Sequence, residues 1–443
     1  MGGLTSALAL AKAGFQDIEV YEFASNLGFV GAGIQMAPNM ARILDRLGVW
    51  PDIEKEAVAL NEASIRRQSR PPHWQPKLTA TFVEGSDDKE LGNVDLTYIK
   101  KTYGFPHMVG HRSTLANSIY EGCQREKSIR FFFATNVDQI KFSPKPSFQA
   151  IPRNGNAPYN VETDILLGAD GVKSSTRVEV LKELGVTAEV NDTGQAAYRI
   201  LLKREEMAHD PELLALIDGD RVIRWIGERR HVIAYPVSRK SIYNISTTQP
   251  DVNFAAAPSA TYTTKGSKKA MLSVFSDFCP MVLRMLDLVP AGEVCEWKLR
   301  VHAPLPTWVH GTVALVGDAC HPTLPHLAQG AAQAIEDAAV IAVVLSRIPD
   351  ASPESINKAL RVYEKTRKER AETLVELAAA SARALHLGEG EAKKERDRQF
   401  AALKEGKGPV PDKWADANVQ RMVYGFDCVK VAQEMFQESF DKM

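Results

Sequence analysis

A chain of 443 residues is too long for one ordinary hydrophobic core, so two domains sharing an interface are expected. A formal net charge of −1, from 54 basic and 55 acidic residues, gives no electrostatic reason to expect nucleic acid or a basic membrane-binding arm. Five scattered cysteines (Cys123, Cys279, Cys295, Cys320, Cys428) show no C-x-x-C spacing, which argues for a reducing, cytoplasmic compartment, against a disulfide framework and against structural zinc.

No metal is expected. Apolar runs stop short of the ~20 residues of a membrane span, and residues 1–14 carry no basic leader, so a secretory signal is not expected.

In chain order, Leu4 to Ala13 is rich in helix formers and stops at Gly14, a residue suited to the left-handed conformation past a helix end. Asp17 to Glu22 (DIEVYE) alternates like a strand, and Pro38 to Leu47 reads as a second helix, opened by proline and closed before Gly48. From about Gln68 to Gly104 the pattern turns irregular, with Pro71, Pro72 and Pro76. Arg112 then opens a helix to Arg125, IRFFF (129–133) is a strand, and ETDILLGADG (162–171) is a buried strand meeting a turn.

Between Tyr198 and Arg300, RVIRWIG (221–227) and HVIAYPV (231–237) predict an antiparallel sheet with one covered face. Val313 to Val316 is expected as a strand, Gly330 to Leu345 as a helix and Glu354 to Leu385 as a long charged helix, with a solvated surface segment over 391–408.

The chemistry starts at the amino terminus. A dinucleotide-binding βαβ unit needs a strand, a G-x-G-x-x-G turn and an acid ending the second strand. Only the second half is visible: Gly2-Gly3 can supply the last glycine, as Gly3, and Glu22 sits where the ribose acid belongs. The first strand and first two glycines would lie before Met1, so the numbering is expected to begin inside the unit. The alternative is an inactive remnant.

Gly28 to Pro38 (GFVGAGIQMAP) is a loop whose small residues, Ala32 and Gly33 among them, allow close backbone approach to a ligand. Arg112 at a helix start suits a phosphate. The strongest segment is TVALVGDACHPTLPHLAQGAAQAIED (312–337). A buried strand delivers Gly317 and Asp318 to its carboxyl edge, and a proline-bracketed loop leads to a helix whose amino end, Gly330 and Ala331, suits negative charge.

At these residues the sequence becomes recognisable. Glu22, GAGIQMAPN, His111-Arg112, LLGADGVKSSTR and GDACHPTLPHLAQGAAQAIEDA, in that order, resemble the single-component (group A) FAD-dependent aromatic monooxygenases, and among them salicylate hydroxylases and their fungal relatives. The similarity runs from residue 2 to about residue 385.

It implies an α/β fold, with a Rossmann-type FAD-binding domain (1–68, 105–180, 299–385), an inserted β-sheet substrate domain (69–104, 181–298) and a carboxyl-terminal helical segment (386–443). By the same resemblance Gly3, Glu22, Ala32, Gly33, Arg112, Asp170, Gly317, Asp318, Gly330 and Ala331 would serve FAD, and Arg199 (AAYRILL) and Tyr235 (VIAYPV) match catalytic positions of fungal members.

The implied reaction reduces FAD with NADH or NADPH, forms a flavin hydroperoxide with O2 and hydroxylates a phenolic or aromatic acid. Epoxidation or dearomatising hydroxylation in secondary metabolism is the alternative, and a homodimer is compatible with either. His326 (LPHLAQG) is the candidate base near the substrate hydroxyl.

Overall fold

The computed structural model describes residues 1–27, 32–67, 88, 90–187, 190–252, 263–292, 294–403 and 408–443; Gly28 to Gly31 and the proline-rich stretch through Pro71, Pro72 and Pro76 lie outside the described residues. Within them the helix Gly2–Lys12 ends before Gly14 at φ +99°, and Pro38–Arg46 ends before Gly48 at φ +75°. Both glycines hold the left-handed backbone that side chains with a Cβ disfavour.

The strand Ile18–Tyr21 pairs in parallel with Ile129–Phe132, and Leu166–Gly168 pairs in parallel with Val313–Leu315. Against these strands pack the helices Gly2–Lys12, Arg112–Gln124 and Gly330–Leu345, around a core that includes Leu8, Leu44, Ile119, Leu315 and Ile335. This is the Rossmann-type half, and its strand ends face the expected FAD site.

The second half is one eight-stranded sheet. Its centre runs Val190–Lys203, Ile242–Pro250, Arg230–Val237 and Arg221–Gly227, all antiparallel neighbours, and Glu62–Arg67 joins in parallel beside Arg221–Gly227. Alternation along these strands sorts side chains onto two faces. Tyr198, Ile200, Trp225, Val232, Ala234, Tyr243 and Ile245 form a dry core with the helices Pro211–Asp218, Lys268–Val274 and Pro280–Asp287. The opposite face carries Arg199, Asn244, Ser246, Tyr235, His231 and Arg224, as the cross-strand pairs Arg199↔Ser246, Tyr235↔Asn244 and Arg224↔Ile233 require. A sheet core made of one face leaves the other free for polar work.

The carboxyl-terminal region differs from the expected solvated segment. Residues Glu391–Leu403 form a helix whose Phe400 is 1% exposed and joins Ile65, Leu91, Ile226 and Leu385 in a small core. Its charged residues mask one apolar anchor, too sparse to register as periodicity. No helix among the described residues is long and apolar enough to cross a membrane.

A buried ion network joins the long helix Pro353–Leu385 to the helix Gly330–Leu345. Fully buried Arg367 donates through Nε to Asp337 Oδ1 at 2.9 Å and through Nη1 to Glu336 Oε2 at 2.5 Å, while Arg370 Nε reaches Glu336 Oε2 at 2.8 Å. Asn39 donates to Glu336 from a third helix at 2.7 Å. Burial alone would raise both carboxyls, but the adjacent cations, with His321 beside Asp337, hold them below the usual carboxylate range.

Removing one partner strands a charge in the interior. Arg367→Met should therefore lower the unfolding free energy by about 3–5 kcal/mol, read from the urea midpoint; an unchanged midpoint would show that the network is dispensable.

Candidate functional site

The segment that ranked highest in the sequence is built as expected. The strand Val313–Leu315 ends in Gly317, which adopts φ +64° and donates its backbone N–H to Asp337 Oδ2 at 2.9 Å. Asp337 Oδ2 also meets His321 Nε2 at 2.6 Å, so one carboxylate pins both sides of the turn. Asp318, the next residue, is exposed at the carboxyl edge of the sheet. The helix Gly330–Leu345 begins without a side-chain cap, leaving its first backbone N–H groups and positive dipole end available.

Four more candidates converge on the same edge. The amino end of the helix Gly2–Lys12 lies within electrostatic reach of Arg112, Asp318 and Glu22. Gly3 sits against Ala169, where an added Cβ would approach its methyl to 3.3 Å. Ala32 accepts the backbone N–H of Arg112 at 2.9 Å, which ties the small-residue loop to the helix Arg112–Gln124. The Arg112 guanidinium has no ion-pair partner among the described residues. A free cation, two helix amino ends and a carboxylate for hydroxyls fit a dinucleotide diphosphate and its ribityl chain.

Gly33 forms the seam between the two halves. Its N–H donates to Asn244 Oδ1 at 2.6 Å, and a Cβ there would fall 2.5 Å from Asn244 Cγ and 2.6 Å from Tyr235 Cε2. The glycine lets the cofactor loop touch the substrate sheet. On that sheet Arg199 lies over Trp297, with Cζ 4.8 Å from the ring centroid, and within electrostatic reach of Arg112, Tyr235 and Asp318. Burial first, and Arg112 second, lower the proton affinity of Arg199. Burial pushes the Tyr235 phenol well above its ordinary range, so it remains a proton donor.

Two further expected residues have partners of their own. Asp170 accepts from Ser174 Oγ at 2.5 Å and from Thr176 N and Oγ1 at 3.0 Å each, so it fastens the start of the helix Ser175–Glu183. His326 is 1% exposed and its ring packs against His231 and His386, with centroids 5.4 and 5.5 Å away.

Sequence reasoning passed over Arg177, Asn244 and Trp297. Arg177 is buried and donates to Ala319 O at 3.0 Å and Val172 O at 2.8 Å, bridging the two glycine turns. It stood inside the quoted LLGADGVKSSTR stretch, where nothing marks an arginine as buried. Asn244 and Trp297 reach the same sheet face as Arg199 and Tyr235 only through strand pairing, which one sequence does not display.

The geometry at Gly317 yields a prediction for cofactor retention. A Cβ at Gly317 would stand 2.9 Å from Ala334 Cβ on a left-handed backbone. Gly317→Ala should purify with a much lower flavin-to-protein absorbance ratio. Gly14→Ala, equally left-handed but with nothing within 4 Å of the new Cβ, should keep its flavin. Equal flavin in both variants would remove Gly317 from the cradle.

Comparison with known proteins gives the family. The family described as "FAD binding domain" matches residues 1–378. The chain is 31% identical over 370 residues to 3-hydroxybenzoate 6-hydroxylase 1 of Aquipseudomonas alcaligenes, covering 83% of this chain and 82% of that protein. It is 29% identical over 434 residues to the FAD-dependent monooxygenase OpS4 of Beauveria bassiana, covering 98% and 94%.

Among solved structures, a salicylate hydroxylase substrate complex shares the fold at TM-score 0.74 and 22% identity, covering 98% of this chain and 95% of that one. CtdE in complex with FAD and substrate superposes at TM-score 0.78 and 20% identity, covering 100% and 97%. The chain belongs to this FAD-binding family and is a FAD-dependent monooxygenase of the aromatic hydroxylase group.

Proposed function

We propose that the substrate is a phenol carrying a carboxylate or comparable anionic group, with Arg199 holding the anion and Tyr235 the ring hydroxyl. The observation that carries this reading is the state of Arg199. It is half-buried and stacked on Trp297, and it has no carboxylate partner among the described residues. A partly desolvated guanidinium is a receptor for a planar anion, and its fork matches a carboxylate.

Other polar groups on the same sheet face support the assignment. Asn244 Nδ2 and Trp297 Nε1 are buried without a hydrogen-bond partner among the described residues. Buried donors left unpaired cost about 1–3 kcal/mol each, so a ligand able to accept from them is favoured. Tyr235, kept protonated by burial, would donate to the phenolate oxygen and stabilise the ring as a nucleophile.

When bound, FAD supplies the chemistry of NAD(P)H oxidation and O2 activation. Gly3, Glu22, Ala32, Gly33, Arg112, Asp170, Gly317, Asp318, Gly330 and Ala331 would hold it. The protein's remaining task is to position the ring and exclude water. We leave His326 out of proton transfer: burial first, then His386 and Arg224, lower its basicity well below the ordinary histidine value. Five free cysteines support a reducing, cytoplasmic setting.

Arg199→Gln should raise KM for a hydroxybenzoate roughly 10- to 100-fold, since a hydrogen bond to a charged group contributes about 1.5–3 kcal/mol. KM for the matching benzamide should hardly move. Tyr235→Phe should lower kcat with little change in KM. Steady-state NAD(P)H consumption with product mass reads both, and an equal loss for acid and amide would overturn the role of Arg199.

A further inference from the structure

We propose that His231, His326 and His386 form a binding site for one divalent transition-metal ion of the zinc, cobalt or copper type. One ring nitrogen from each lies within 4.8 Å of the others. His231 Nδ1 and His386 Nε2 share a hydrogen bond of 2.7 Å, which a bound metal would replace, and the three ring centroids are 5.0 to 5.5 Å apart. Both nitrogens of His326 are buried without a hydrogen-bond partner among the described residues.

An imidazole with two buried, unpartnered nitrogens is costly, because each loses its water without replacement. A metal ion would engage one nitrogen on each ring and so satisfy one of the two on His326. Neutral imidazole is the ligating form.

Three imidazoles select zinc, cobalt, nickel or copper over magnesium or calcium, which prefer oxygen ligands. The second histidine-containing cluster, Cys320, His321 and Asp337, offers no comparable vacancy, because Asp337 is already engaged by His321, Arg367 and the Gly317 N–H.

The surroundings restrict the rest of the coordination sphere. Arg224 donates to Asp412 Oδ2 at 2.9 Å and lies 3.5 Å from the His326 carbonyl, so the nearby carboxylate is already neutralised. The remaining ligand would be a small anion or hydroxide, not a protein acid. The three histidines come from the strand Arg230–Val237, the turn Pro325–Leu327 and the end of the helix Pro353–Leu385. Bound metal would clamp the proline loop before the flavin helix to the substrate sheet. Spacing arguments could not find this site, since its ligands stand 95 and 60 residues apart in the sequence.

The test uses the intact flavoprotein, dialysed against EDTA and then against Zn2+, Co2+ or Cu2+. Elemental analysis should give one equivalent of metal, and Cu2+ should show nitrogen hyperfine splitting in its EPR spectrum. Zn2+ should raise the melting temperature. His386→Gln should lose the stoichiometric metal with the flavin retained, whereas His209→Gln, at an exposed position, should keep both. Metal well below one equivalent in the wild type, Cu2+ without nitrogen splitting, or full retention by His386→Gln would each overturn the site. The wild-type measurements decide the matter even if the variant fails to fold.

Discussion

The cofactor edge depends on one buried carboxylate. Asp337 takes the Gly317 N–H, His321 and Arg367 at once, and so fixes the turn after the strand, the loop beyond it and the helix from which Asp337 itself projects. Such a group is expensive to bury, and it persists because both of its oxygens are met. Glu336, its neighbour in sequence, does the same for the helix Pro38–Arg46 through Asn39 and for the long helix through Arg367 and Arg370. The pair converts a stretch of small residues, which alone would be pliable, into a rigid edge.

The substrate sheet solves a different problem. One face is a dry core under three short helices, and that core carries the stability of the domain. The other face is thereby released to hold Arg199, Tyr235, Asn244 and Trp297 with polar atoms that find few protein partners. Gly33 is the point of contact between this face and the cofactor loop, and the absence of a side chain there sets how closely the two halves approach.

Local chemistry made much of this legible. The helices opened by Pro38 and Arg112, the strand 221–227, and the helix Gly330–Leu345 follow from capping residues and periodicity, and the structure has them within a residue or two of the expected limits. The glycine turn at Gly317 was equally visible. What stayed hidden depends on partners distant in sequence: Asn244 against Gly33, Arg177 between two turns, His231 beside His326 and His386. The helix Glu391–Leu403 differs from the expected solvated segment because eight charged or amide residues surround the single phenylalanine that docks it.

Arg112 and Arg199 stand close enough for the charge of one to disfavour that of the other, the first proposed for the diphosphate and the second for the substrate. Two like charges held near one another by a folded chain repel, and an anion arriving at either relieves that repulsion. With Arg112 on the cofactor and Arg199 on the substrate, as proposed, the two binding equilibria would be linked, and by reciprocity each ligand would strengthen the binding of the other by the same factor. On the roles proposed for these two arginines, occupancy of one half of the molecule would be felt as affinity in the other.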